Sequence, residues 1–226
     1  MQVVKRKILA SVDDGHQLDM TLADLLLRYR IPTIWYIPVE MTDLSNSQIR
    51  RLAGIGTCDF CWKARKLFQI GAHTLTHPQD LKKLSDEEAV KEIAGSKQAL
   101  ENILIKKKVD KFCYPRGRFN NRIKEIVKNA GFKQARTTRI LNTDFPDDPF
   151  EIDPSIHVHP ERKEYKDKTW IDWGYLLFDE VIESGGRFEI FMHSWEIEKY
   201  NMWGFLEEFL AYMDERMEKI KYIRKI

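Results

Sequence analysis

Two histidines four residues apart, His73 and His77 in "IGAHTLTHPQ", are the first candidates for chemistry. Residues i and i+4 reach one ion when the chain between them makes a helical turn. Gly71, Pro78 and the β-branched Thr74 and Thr76 work against a long helix, and "LFQIGA" before them reads as a buried strand. A single turn after a strand end would bring the two rings together. Two ligands do not complete a zinc site, however, and solvated loop histidines are common, so metal site and polar loop both stand until a third ligand is found.

Other reactive side chains also follow strand-like runs directly. "KILASV" leads into Asp13-Asp14-Gly15, "KFCYP" into Arg116-Gly117, and "RFEIFM" into His193. In parallel α/β folds the carboxyl ends of the strands share one rim, so these groups should converge. Asp-Asp-Gly is usually only a turn, but a turn at Gly15 would let both carboxylates address one site. One aspartate with two histidines makes a 2-His-1-carboxylate set with positions left for water, suited to zinc or another first-row divalent ion. The second aspartate is then free to act as a base. His193 reads either as a core histidine held by one hydrogen bond or, at the end of the last strand, as an acid. His157 and His159 in "SIHVHP" read as pocket lining or as the alternation of an edge strand. Cys58 and Cys61 in "CDFC" lack the second pair of a zinc site and the setting of a redox motif, and are read as two loop thiols.

The elements that position these groups alternate between strand-length apolar runs and segments of helical period. "KILASV" and "PTIWYIP" flank "DMTLADLLLRYR", whose Leu22, Leu25, Leu26 and Tyr29 share one face. Ser85 and Glu88 form a capping box for the next clear helix, with Val90, Ile93, Leu100 and Leu104 as its expected buried stripe. "NRIKEIVKNAG" carries Ile123, Ile126, Val127 and Ala130 on one side and stops at Gly131, between strands "KFCYP" and "KQARTT". "DWGYLLFDEVIESGG" reads as a helix, "RFEIFMH" as a strand, and the closing helix turns Leu206, Phe209, Leu210, Met213 and Met217 inward. Five or more strand–helix units predict a single α/β domain over residues 1–226, a (β/α) barrel that is irregular or seven-stranded, with a doubly wound open sheet as the alternative.

Composition agrees with one folded domain: 226 residues, 43% apolar and 12% aromatic, can bury a sizeable core. The 37 basic residues nearly cancel the 35 acidic ones, and the net charge of +2 gives no reason to expect a nucleic-acid partner. "MQVVKRKILASVDDG" has too brief an apolar run for a signal peptide or a membrane span. With three cysteines and no export signal, a cytoplasmic, reducing location is expected. Oligomeric state is not readable from the sequence.

In order and spacing these motifs resemble those of the polysaccharide deacetylases, carbohydrate esterase family 4. "SVDDG" is similar to the family's first motif, which implies Asp13 as catalytic base and Asp14 as metal ligand. "HTLTH" resembles the second, implying His73 and His77 as the other protein ligands of a divalent metal, zinc first, with cobalt or manganese as alternatives. "CYPRG" resembles the third motif, implying Tyr114 and Arg116 on the oxyanion and substrate side with the Arg116 backbone N–H as oxyanion donor. "FMH" resembles the last, implying His193 as general acid, and "WIDWG" retains an Asp-Trp pair that implies Asp172 as the group tuning His193 and Trp173 as a wall of the acetyl pocket. Cys113 departs from the pattern, standing where the family has the arginine that orients the base. That leaves Arg116, at the aromatic position, as the guanidinium that could take the role over. The resemblance implies a metal-dependent hydrolase that removes N-acetyl groups from an amino sugar or polysaccharide. The alternatives are hydrolysis of another C–N bond in a small cyclic amide or ureide, and a carbohydrate-binding relative without activity. A non-haem iron oxygenase shares only the ligand type. Trp35, Tyr36 and Trp195 are read as either sugar-stacking or core aromatics.

Overall fold

The computed structural model describes residues 4–223. Met1–Val3, part of the stretch read above for an export signal, and the last three residues of the expected 1–226 domain lie outside the described residues. Seven strands form one parallel sheet: β1 (Arg6–Asp13), β2 (Thr33–Ile37), β3 (Phe68–Ala72), β4 (Lys111–Cys113), β5 (Gln134–Arg136), β6 (Ile156–His157) and β7 (Gly186–Met192). Their spatial order is β5-β4-β3-β2-β1-β7-β6. That is the cyclic order of a barrel opened between β5 and β6, and a doubly wound sheet would instead reverse direction in the middle of the order. Across the opening, Ile152 bridges Arg136 in parallel sense, and the chain then runs on to β6. The sheet therefore curls into a half-barrel, as the alternation of elements predicts.

The helices are α1 (Asp19–Arg28), α2 (Asn46–Leu52), α3 (Asp59–Leu67), α4 (Asp86–Ile103), α5 (Asn121–Asn129), α6 (Trp170–Ser184), α7 (Ser194–Lys199) and α8 (Trp203–Ile223). The capping box at Ser85 and Glu88 starts α4 as expected. The stripe below it differs in one place, because Val90 is 46% exposed while Ala89, Ile93 and Leu100 are buried. A box counted from Ser85 puts Ala89 and Ile93 four residues apart on the inner face and rotates Val90 off it. Helices α2 and α3 escape the periodicity reading because both are short and charged. As a consequence "CDFC" is not a loop: Cys58 caps α3 and Cys61 lies in its first turn.

The strands carry two cores. Their outward faces, with Ala10, Val12, Trp35, Phe112, Ile190 and Met192, pack against the helices in the large cluster. Their inward faces hold a small apolar group of Leu9, Ile34, Tyr36 and Cys113. Gly71 makes room for it, since a Cβ there would lie 2.4 Å from the Tyr36 ring. Trp35 and Tyr36 are thus core residues rather than a sugar platform. The same inward face is also charged: Arg187 and Glu189, in register with Lys7 and Leu9, pair with each other, and Arg136 Nε stands 3.8 Å from Glu189 Oε1, all of them buried. Charges so deep persist only when paired and hydrogen-bonded. They lead upward to the rim where the reactive residues gather.

Candidate active site

Asp13, Asp14, His73, His77 and His193 line one cleft of about 390 Å³ at the carboxyl ends of the strands. Three of its residues, and Thr74 beside it, sit in backbone conformations that L side chains seldom adopt: Asp14 (φ 77°), His77 (φ 51°), Arg116 (φ 55°) and Thr74 (φ 68°). Such strain gathers where function fixes side-chain direction. At Asp14 it turns the second carboxylate onto the same side as the first, although neighbouring strand residues point oppositely. The turn at "HTLTH" is held from outside by α4, whose Glu92 accepts from the Leu75 N–H (3.0 Å), the Thr76 N–H (2.9 Å) and the Thr76 hydroxyl (2.7 Å). The His77 N–H donates to Thr74 Oγ1 at 3.1 Å, which closes the single turn that the spacing requires.

Three ligand atoms face one another across that turn. His73 Nε2 lies 3.8 Å and His77 Nε2 3.6 Å from Asp14 Oδ1. A tetrahedral ion with bonds of about 2.0–2.1 Å needs ligand separations of roughly 3.3 Å, so a small inward movement would close the set. His73 Nδ1 lies 2.9 Å from the Cys113 carbonyl, which fixes the tautomer that leaves Nε2 as a lone-pair donor toward the site. Burial also lowers the His73 pKa to about 4, so the ring is neutral, as a ligand must be. These residues fit a divalent ion.

Two other clusters of ligand-type residues adjoin it and fit one less well. In Asp13, His73 and Cys113, the Arg136 guanidinium stands 3.0 Å from the Cys113 sulfur and is hydrogen-bonded to Asp13, so a cation already occupies that corner. In His157, His193 and Glu196, one carboxylate oxygen lies 2.8 Å from His157 Nε2 and 2.7 Å from His193 Nδ1, within proton-sharing distance of both rings.

Asp13 is buried beside that triad, its Oδ2 bound by Arg136 and its Oδ1 without a hydrogen-bond partner among the described residues. Burial alone would raise its pKa, but the Arg136 charge, with smaller help from His73 and His193, lowers it to about 2. The carboxylate is therefore ionised and keeps one oxygen to receive a proton. The guanidinium that holds it comes from β5, not from Arg116, which is exposed on the cleft rim. Arg136 is the register partner of Cys113 on the neighbouring strand. Its guanidinium carbon stands 4.1 Å from the Phe191 ring centroid, and the short cysteine side chain leaves it room. In the sequence Arg136 is one residue of "KQARTT", a strand with nothing local to mark the arginine as functional. The available signal was an inward-facing arginine beside the position that lacks one.

A similar correction applies to His193. Asp172 does not approach it: the carboxylate is exposed at the start of α6, where it accepts from the Thr169 N–H and hydroxyl in a capping box. The partner of His193 is Glu196, one turn ahead on α7. Burial lowers the His193 pKa, but the Glu196 bond and the Asp14 charge outweigh it and raise it to about 9. The ring is a cation at neutral pH, with Nδ1–H donating to Glu196 and Nε2 3.6 Å from Asp14 Oδ2. Glu196 itself would be raised by burial, yet hydrogen bonds from His157 and His193 hold it well below the usual carboxylate range. The carboxylate lay within "HSWE", three residues from the histidine.

Trp173 is likewise outside the cleft. It packs on the large core and donates its indole N–H to the Tyr165 carbonyl at 3.2 Å. The cleft tryptophan is Trp195, whose N–H donates to Asp14 Oδ2 at 3.2 Å. Tyr114 is buried and gives its hydroxyl to the Phe150 carbonyl at 3.1 Å, so it supports the wall from behind. Of the two histidines in "SIHVHP", His157 lines the cleft from edge strand β6, which reconciles the two readings weighed for it.

A half-barrel with Asp, Asp, His, His and His at its strand ends defines a class of hydrolase-like scaffolds, and the comparisons specify it. The sequence model of the family described as polysaccharide deacetylase matches residues 2–135. The chain belongs to the polysaccharide deacetylase family. No curated protein sequence matches it. Among solved structures it is similar to a family 4 carbohydrate esterase from Streptomyces lividans (13% identity, TM-score 0.60, covering 96% of this chain and 90% of that one). It is similar to the Streptococcus pyogenes deacetylase PplD (17%, TM-score 0.55, 65% of this chain), of whose length the match spans 62%. It also resembles a CE4 family pseudoenzyme from Bacillus anthracis (14%, TM-score 0.59, 94% of this chain and 62% of that one). At these identities the likenesses bear on the fold alone.

Proposed function

We propose that this chain is a metal-dependent hydrolase that removes N-acetyl groups from an amino sugar or polysaccharide. The observation that carries the reading is the meeting, in one cleft, of the Asp14, His73 and His77 triad, a buried aspartate paired with Arg136 and a histidine bonded to Glu196. Amide hydrolysis needs all three, because water is a weak nucleophile and an amide anion is too basic to leave. Asp14, His73 and His77 would hold the divalent ion, with zinc favoured by the nitrogen and oxygen donors. When bound there, the ion supplies an acidified water and a Lewis-acid contact for the acyl oxygen.

The rest is done by the chain's own groups. Asp13, kept anionic and aimed by Arg136, receives the proton of the attacking water through Oδ1. The Arg116 N–H on the cleft wall is the second donor for the oxyanion, a role indifferent to side-chain type. His193, held protonated by Glu196, gives its Nε2 proton to the departing sugar nitrogen. Trp195 steadies Asp14 through its indole N–H. Phe191, Thr138 and Arg162 complete the walls, offering apolar, hydroxyl and cationic surface to the substrate.

The test is acetate release from N-acetylglucosamine oligomers by zinc-loaded protein, with Asp13→Asn and His77→Ala alongside. Asp13→Asn should lose turnover and retain metal, and His77→Ala should lose both. Undiminished metal content in His77→Ala would remove that residue from the ligand set. Metal-loaded wild type that binds the oligomers without releasing acetate would make the chain a binding relative instead.

A further inference from the structure

The pair Cys58 and Cys61 lies outside everything the cleft uses. Cys58 is exposed at the N-cap of α3, and Cys61, one turn on, is only 3% exposed. Their sulfurs are 2.9 Å apart, and the Cys61 N–H also points to Cys58 Sγ at 3.4 Å. Gly56, at φ 147°, lets the buried sulfur sit there, because a Cβ on that residue would come within 2.7 Å of it. We propose that Cys58 and Cys61 are a reversible dithiol–disulfide couple, an exposed attacking thiol with a buried resolving thiol, that exchanges with small disulfides of the glutathione class.

Three features make the couple asymmetric. The side-chain hydrogen bond with the Cys61 thiol, then the Cys61 backbone N–H, stabilise the Cys58 thiolate and lower its pKa. Burial pushes Cys61 the other way, so its thiol stays protonated until it is needed. Exposure then decides which sulfur meets an incoming disulfide. Cys58 thiolate attacks one sulfur of oxidised glutathione, forming a mixed disulfide and expelling one glutathione thiolate. Cys61, losing its proton to solvent, attacks Cys58 Sγ, closing the Cys58–Cys61 bond and releasing the second glutathione. Two electrons pass from the protein dithiol to the glutathione disulfide, and two reduced glutathiones leave. The third cysteine, Cys113, is buried beside Arg136 and takes no part.

The test equilibrates the whole protein in mixtures of reduced and oxidised glutathione, quenches with a maleimide and maps the labels by peptide mass. With the maleimide added in denaturant, wild type should pass from three labelled cysteines to a Cys58–Cys61 disulfide with only Cys113 labelled, over a single two-electron transition. Cys61→Ser should instead accumulate one glutathione on Cys58, and Cys58→Ser should leave native Cys61 unmodified. Native wild type should also alkylate at Cys58 at least about tenfold faster than at Cys61. Both cysteines remaining fully labelled in oxidised buffer would overturn the proposal. So would equal alkylation rates, or a zinc ion shared between the pairs of two chains that blocks oxidation.

Discussion

Replacing Arg136 with methionine tests the least expected part of the proposed site, the cation that pairs with Asp13 from β5. Arg136 and Asp13 form an ion pair in which both partners are buried. Removing one partner of such a pair leaves an uncompensated charge and costs about 3–5 kcal/mol. The lowering of the Asp13 pKa from 3.8 to about 2 is of the same order, roughly 2–3 kcal/mol in favour of the ionised form. Its contribution to stability is present above pH 3.8 and lost as pH falls through about 2. Without the guanidinium, burial raises the proton affinity of the carboxyl, and an Asp13 already protonated from solvent cannot receive the proton of the attacking water. Loss of a positioned general base lowers turnover by about 10²–10⁴-fold. The assay is acetate release by zinc-loaded Arg136→Met, read with its metal content and thermal midpoint. Retained metal with turnover down at least a hundredfold, as expected for about 2.7 kcal/mol or more of barrier, is the anticipated result. The double variant Cys113→Arg, Arg136→Met returns a guanidinium to the register partner and should recover part of the loss. Arg136→Met with wild-type turnover would refute the reasoning, since Asp13 would then need no cation from β5.

Three further outcomes follow from contacts described above. Glu196→Gln should lower turnover and weaken the fold by about 1–3 kcal/mol at pH 7, because the charge on a buried hydrogen-bond acceptor is lost. Since folding depresses the Glu196 pKa, that stability is present above its ordinary 4.5 and fades on acidification, so the gap in thermal midpoint between variant and wild type should narrow below about pH 4. Asp172→Ala should leave turnover unchanged and cost about 0.5–1 kcal/mol as a lost cap, seen in chemical denaturation; a collapse of turnover would return Asp172 to the site. Gly71→Ala should destabilise by about 1–3 kcal/mol through overpacking against Tyr36, and no change in urea midpoint would show that the ring can move aside.

Much of this was legible in the sequence, for identifiable reasons. The period of two or 3.6 in "KILASV", "PTIWYIP" and the closing helix fixed those elements, because burial of one face imposes the pattern. Asp13, Asp14, His73, His77 and His193 could be named because each lies at a strand end, where parallel topology requires convergence. The spacing of the two histidines was readable because their turn is local. What escaped were partners whose identity depends on strand register and side-chain direction. No spacing rule connects Arg136 to Asp13 across 123 residues; they meet across the barrel interior, because the curled sheet turns the ends of β5 and β1 toward each other and both residues face inward. Asp172 was the acid expected beside His193, and only the direction of α6 and α7 decided that it caps a helix while Glu196 holds His193. Trp173 and Trp195 exchanged places on the same ground. The sequence by itself determined which residue types could do the chemistry and on which rim they lie, since those follow from local pattern and strand order. The tertiary structure alone decided which neighbours set their charge, because proton affinity in a buried site depends on contacts of a few ångströms between groups distant along the chain.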